Sequence, residues 1–358
     1  MDKNIVSNLK NRIKDSLLKH KLLYLLLFVA KNINNERFTN KILEPEKFFQ
    51  ITSYGEKNQG KNIYFIDVSS KYMGFGAYFR WSLEALYEAE NFGFIPVIKF
   101  GKLCPYNENE NFELGTNSFE YYFKPVSDIG IEEIFESKNV FIFQQTDLRR
   151  TEKRLNTYDE NNNVICGYSF DENYIKEMGR IVNRYIKLNY RTSDFIERSI
   201  EKLFVGKKQE GRKILAVHIR GTDFALNWDK HPNLVKPEDY FPIIDETILK
   251  YKFNYIFLAT DDSRLLTIFK EKYGDLLIYF DDVNRSDGKL NVAYVKNDRE
   301  NNNYLNGLEV VRDIYTMAYC NGFIAGLSQV SICTRMINRS LEKQFEYENI
   351  IDKGIYNI

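Results

Sequence analysis

The chain is poor in the residues that announce common chemistries. It has three histidines, two tryptophans and four cysteines in 358 residues, and its charges balance, with 50 Lys and Arg against 50 Asp and Glu. No CxxC pair occurs and no histidine stands beside Cys104, Cys166, Cys320 or Cys333 at metal-ligand spacing, so the thiols are expected to be buried, free and in a reducing compartment. Zero net charge argues against nucleic acid as the main partner, since phosphate-backbone binding needs a basic face. No Walker-type GKS and no complete GxGxxG occur, which disfavours ATP and NAD. The apolar run 22–30 is too short to span a bilayer, which takes roughly 20 residues. It also lacks the flanks of a signal peptide, so a cytoplasmic location is expected. A buried or domain-capping helix is the preferred reading of this run. With Lys10, Arg12, Lys14, Lys19 and Lys21 before it, a helix lying on a membrane surface is the alternative.

What is abundant is aromatic side chain, with 25 Tyr and 27 Phe, most of it expected in the core. The ring-rich stretch 118–125 is read as a buried strand edge, with a platform for a glycan acceptor as the second option.

Alternating strands and helices organise the chain. Residues 1–58 read as a helical leader, 59–205 as one α/β lobe and 206–358 as a second. In the first lobe a strand at 62–68, Gly74-Phe75-Gly76, a helix at 78–91 and a strand at 94–98 form a βαβ unit. A further strand is expected at 140–143 and a helical stretch at 170–204, and the polar break 206–211 marks the boundary. In the second lobe strands are expected at 214–219, 255–259, 276–280 and 322–325. Helices are expected at 237–251, 263–273, 308–320 and 328–338, with a long polar loop at 281–306. Such alternation predicts parallel sheets covered on both faces, in two lobes with a ligand cleft between them.

Four segments carry candidate chemistry. His218 and Arg220 share one side of a strand as it ends, where open parallel sheets bind ligands. Arg220 suits a diphosphate, but an arginine paired to a carboxylate and a satisfied core histidine fit the spacing equally well. In 257–263, Asp262 or Ser263 reads as a helix cap. After the helix carrying Asp313, a short strand, Gly326 and Ser328 offer a hydroxyl and helix N-terminal N–H groups to an anion. Gly74 and Gly76 mark a strand-to-helix turn where backbone could approach a sugar or phosphate.

Taken together, His-Ile-Arg-Gly-Thr-Asp at 218–223, Ala-Thr-Asp-Asp at 259–262 and Leu-Ser-Gln-Val at 327–330 resemble the three motifs of the α1,6-fucosyltransferase superfamily. His231-Pro232, Glu238-Asp239-Tyr240 and the glycine loop at 74–77 extend the resemblance, which covers 215–340 well and 60–100 loosely. It implies a GT-B fold of two Rossmann-like lobes and a metal-independent, inverting transfer of fucose from GDP-fucose to an oligosaccharide or polysaccharide acceptor. No cofactor is implied. By the same resemblance Arg220 holds the β-phosphate with Ser328 and the Gln329 backbone, and His218 and Asp313 read the guanine. For the base that takes the acceptor proton, Asp229 and Asp223 are the candidates, and Asp223 has orienting Arg220 as its other role. Gly221 stands where the family has a second arginine, which leaves another GDP-sugar donor open, and a degenerate glycan-binding relative that lost its base is the non-enzymatic alternative. The Asn-, Lys- and Ile-rich composition suggests a bacterial enzyme of surface or secreted glycan synthesis.

Overall fold

The computed structural model describes residues 21–35, 49–108, 112–144, 171–205, 212–221, 231–288, 292 and 298–356. It falls into two units, residues 1–50 and 51–358.

In the first unit, helix α1 (Lys21–Asn32) forms where the apolar run predicts a helix. The preferred reading, that this helix is buried, is corrected. Leu25, Leu26, Leu27 and Phe28 are about half exposed, from 46% at Phe28 to 59% at Leu26. Four consecutive residues point in four directions around a helix, so no face of this turn is covered. No described helix is long and apolar enough to cross a membrane. The rest of the leader lies mostly outside the described residues.

The second unit carries two sheets. The first has strand β2 (Ile63–Val68) at its centre, followed by α2 (Phe75–Phe92) and β3 (Ile95–Phe100), which is the expected βαβ unit. After the short α3 (Ile131–Ile134), β4 (Val140–Ile142) pairs with the other side of β2, and β1 (Gln50–Thr52) forms the outer edge. β2 runs parallel to both neighbours and is apolar almost throughout, as a strand buried on both faces must be. α2 is stopped by Gly93 in the left-handed region, a conformation glycine adopts without steric penalty. The stretch 118–125 proves to be core. Phe119, Tyr121, Tyr122 and Phe123 are buried, and the Tyr122 hydroxyl donates to the Tyr304 carbonyl at 3.0 Å.

The helical stretch expected at 170–204 consists of two helices, α4 (Glu172–Tyr185) and α5 (Tyr190–Phe204). Between them Asn189 caps the start of α5, its side chain accepting from the Thr192 N–H. α4 packs against α2 of the first half and a helix of the second, and Phe204 at the end of α5 lies in the core of the second sheet.

The second sheet follows in close accord with the expected alternation. Its elements are β5 (Ile214–Ile219), α6 (Pro237–Tyr251), β6 (Tyr255–Thr260), α7 (Ser263–Tyr273), β7 (Leu277–Ile278), α8 (Asn302–Ala318), β8 (Gly322–Gly326) and α9 (Gln329–Ser340). A ninth strand that the pattern does not predict, β9 (Tyr347–Ile351), completes it. The polar loop expected to reach 306 ends earlier, because Asn301 takes a left-handed conformation and α8 begins at the next residue. All pairs are parallel and the order is β7-β6-β5-β8-β9. The chain therefore builds outward from β5 in one direction, returns, and builds outward in the other. This is the Rossmann-like order, and its reversal point lies between β5 and β8. Two apolar layers cover the faces, one around Val217, Tyr240 and Phe269, the other around Ala216, Phe257 and Phe323.

α9 packs on α4 and α2 and so joins the two halves. Gly179 makes the α4 contact close, for a Cβ there would lie 2.8 Å from Arg339 Cβ and 3.1 Å from the Met336 carbonyl oxygen. Gly179→Val should lower stability by about 1–3 kcal/mol, the usual scale of overpacking, measured as a drop in urea midpoint at unchanged m value.

Candidate functional site

β5 is the inner strand of the reversal, with β6 on one side and β8 on the other. His218 pairs in register with Ala259 and Ala325, and the strand ends one residue later. The residues just past β5, β6 and β8 therefore meet at one edge of the sheet.

From β5 comes Arg220. Its guanidinium lies 2.8 Å from the Asp261 carboxylate, and the Gly221 N–H donates to the same carboxylate at 3.1 Å. About a fifth of the arginine side chain is exposed, at 21%. Gly221 is required by this proximity, because a Cβ there would lie 2.6 Å from Asp262 Cβ. A side chain has no room at this position. Asp262 caps α7 by accepting from the Arg264 N–H at 2.8 Å and also binds the Arg264 guanidinium at 2.7 Å. The expected cap is thus present, while the preceding aspartate does a different job, one that reading the pair as a cap overlooks.

From β8 comes Ser328. Its hydroxyl accepts from the Ser331 N–H at 3.0 Å, and Ser331 returns the bond at the Ser328 N–H, so α9 opens on a reciprocal cap. Ser328 Oγ also lies 3.4 Å from His218 Nδ1. The hydroxyl is buried and engaged in holding the helix start. What α9 presents at this edge is its first turn, where the Gln329 and Val330 N–H groups have no acceptor within the helix and the macrodipole is positive.

His218 is 6% exposed. Burial, aided by the nearby Arg220 charge, lowers its pKa to about 3, so the ring is neutral at physiological pH and serves as a hydrogen-bonding group. Its backbone carbonyl accepts from the Tyr240 hydroxyl at 3.0 Å, which pins the strand end.

The first half reaches the same place through α2. A Cβ on Gly76 would lie 2.9 Å from the Gln329 carbonyl carbon, and the Cys333 thiol donates to the Gly76 carbonyl at 3.3 Å. Gly76 therefore allows two helix N-termini to touch. Gly74, just outside α2, has open space where a Cβ would be. Arg80, which the sequence alone does not single out, donates from Nε to Gln329 Oε1 at 2.8 Å. Its other end binds Glu84 at 2.6 Å, and the Tyr174 hydroxyl donates to that same carboxylate.

Asp313 stands apart on α8. Burial pushes its carboxyl up to about 7, against the pull of Arg312 and Arg285. No contact joins it to His218 or Arg220 among the described residues. Asp223 and Asp229, the candidate bases, lie outside the described residues. Cys104, Cys320 and Cys333 are buried, as expected.

No protein-family model matches the chain, and no curated protein matches it in sequence. Among solved structures it resembles that of NodZ alpha-1,6-fucosyltransferase co-crystallized with GDP, at 18% identity and a TM-score of 0.46, over 78% of this chain and 92% of that one. The same enzyme soaked with GDP-fucose aligns at 19% and 0.45, again over 78% and 92%. POFUT1 in complex with GDP aligns at 12% and 0.42, over 81% of this chain and 99% of that one. These are partial agreements in chain course, and the placement of residues rests on this chain's own contacts.

The depressed His218 pKa has a measurable sign. The unfolded chain binds a proton near pH 6.5 that the folded chain refuses, so stability falls as pH drops below that value. Relative to His218→Gln, the natural protein should lose about 2 kcal/mol between pH 7 and pH 5, read from paired urea titrations. Parallel curves for the two proteins would show that the ring is protonated in place.

Proposed function

We propose that the protein is a metal-independent, inverting glycosyltransferase that moves fucose from GDP-fucose to a hydroxyl of a glycan acceptor. The observation that carries the reading is the meeting of Arg220, the first turn of α9 and the start of α2 at one sheet edge. Helix N-terminal N–H groups and a guanidinium at one sheet edge are suited to a bound diphosphate. Asp261 orients the guanidinium, so its planar fork is ready for phosphate oxygens.

In the reaction the acceptor oxygen attacks the anomeric carbon, the bond from that carbon to the β-phosphate oxygen breaks, and GDP leaves with the electron pair. Negative charge grows on the β-phosphate, where Arg220 and the Gln329 and Val330 N–H groups counter it. That is the duty a metal ion performs in other transferases. Ser328 supports these donors by capping α9 and by holding His218. Gly74, open where a Cβ would be, keeps a side chain away from the donor's sugar, while Gly76 lets α2 approach the first turn of α9. Asp313, titrating near 7, accepts from guanine N1–H and N2–H in its ionised form, and neutral His218 adds a ring nitrogen. The choice of fucose rests on the motif resemblance. Gly221, crowded against Asp262, removes the second phosphate-binding arginine and is what favours another GDP-sugar as the second reading.

α1 supplies a further element of the reading. We infer that it rests on an anionic bilayer, at the cytoplasmic face where the acceptor is built. Its leucines are uncovered, and the first 21 residues hold six basic against two acidic side chains in a chain of zero net charge. The full chain should float with phosphatidylcholine vesicles containing phosphatidylglycerol, not with phosphatidylcholine alone, and Leu26→Glu should abolish flotation. Concentration-dependent dimerisation without vesicle binding would replace the bilayer by a second copy.

Arg220→Ala should weaken GDP binding at least about a hundredfold by calorimetry while thermal stability holds, as expected for a charge-assisted bidentate contact. GDP release from GDP-fucose should survive EDTA. Unchanged affinity in the variant would sink the donor site, and a strict metal requirement would overturn the mechanism. A thermal-shift panel of nucleotide sugars identifies the donor.

A further inference from the structure

α2 and α9 meet along one turn of each helix. Gly76 and Arg80 stand four residues apart on α2, and Gln329 and Cys333 stand four apart on α9, so each pair shares a helix face. The backbones come together at Gly76 and Gln329, and the Cys333 thiol donates to the Gly76 carbonyl. One turn further along α2, Arg80 reaches the first residue of α9, donating from Nε to Gln329 Oε1 at 2.8 Å.

The guanidinium is itself held from its other end. Arg80 Nη1 lies 2.6 Å from Glu84 Oε1, and the Tyr174 hydroxyl of α4 donates to that same oxygen. Burial and the Glu84 charge raise the Tyr174 pKa well above its usual value, which keeps the hydroxyl a donor. Arg80 is 5% exposed and Glu84 is fully buried, so neither side chain can swing into water. Three helices thus converge on the amide of one glutamine.

Stability alone does not explain this arrangement. The start of α9 already has its reciprocal cap in Ser328 and Ser331. A buried ion pair recovers little beyond its desolvation cost, and apolar side chains of similar volume often serve a core as well or better. What the relay from Tyr174 through Glu84 and Arg80 to Gln329 adds is position. A cap lets α9 form but does not fix its start sideways, and the Gln329 and Val330 N–H groups move with that start. A displacement of about 1 Å at a reacting group can cost about a hundredfold in rate, so donors aimed at a phosphate gain from being held.

We propose that Arg80 is a positioning residue for the β-phosphate of the donor, acting through Gln329 to hold the first turn of α9 at the diphosphate. The proposal rests on the glycosyl-transfer reading of that site. The phosphate grip of the second half is thereby set from the first half.

The test compares GDP with GMP, which differ by the β-phosphate alone. The natural protein should bind GDP at least about a hundredfold more tightly than GMP by calorimetry, the scale of charge-assisted contacts to one phosphate. Gln329→Met removes the acceptor of Arg80 while keeping side-chain volume, the backbone N–H groups and the Arg80–Glu84 pair. It should weaken GDP binding about tenfold and leave GMP binding within about twofold, as expected when N–H donors to one phosphate are misplaced. Arg80→Lys keeps a charge beside Glu84 but lacks the planar fork that reaches both partners, and should lower the GDP-to-GMP ratio by a similar factor. A packing role alone would lower the melting temperature and leave the ratio where it was. A ratio within about twofold of the natural one in Gln329→Met overturns the role of Arg80 and leaves the diphosphate site standing. Equal affinity of the natural protein for GDP and GMP, or no binding of GDP, overturns the diphosphate reading together with it.

Discussion

β5 is flanked on both sides by parallel strands that end level with it, and the candidate chemistry depends on that register. Ile219 opposite Thr260 puts Asp261 against Arg220, and His218 opposite Ala325 puts Ser328 against the histidine ring. A slip of one residue would send His218 to the opposite face and separate the arginine from its carboxylate. The register is held by apolar side chains on both faces of β5, so the precision of a polar site is a consequence of hydrophobic packing several residues away.

The two bland interpretations of the first motif are both physically true here, and neither excludes a ligand. Arg220 is paired with a carboxylate and His218 is a buried, neutral histidine. Pairing fixes the guanidinium's plane, and burial keeps the ring uncharged beside a cation. An arginine left to swing would lose more rotamer freedom on binding a diphosphate. The structural role is therefore part of the preparation for a chemical one.

Much of this was legible in the amino-acid order, for local reasons. β5, α6 and α7 fall where expected because their apolar periodicity and flanking Pro237 and Asp262 are local signals. β9 was not legible, since Tyr347-Glu348-Asn349-Ile350-Ile351 sits at a sheet edge and shows neither alternation nor a full apolar run. The break between α4 and α5 was hidden because Ile186, Leu188 and the residues around them continue the apolar spacing without glycine or proline. Arg80 carries no motif. Its significance comes from partners distant in sequence, which only the folded chain brings together.

The contact between Gly76 and Gln329 makes the first turn of α9 common property of both halves. Its backbone is approached by α2 and its glutamine side chain is held by Arg80. Changes at positions 76, 80 and 329 should consequently not add as independent free energies, since each alters what the others touch. A second half produced alone would retain Arg220 and Asp261 yet lack the surface against which α9 is set. In a homologue, a bulkier residue at 76 would have to arrive together with a retreat of α9, so the two halves are bound to diverge in step.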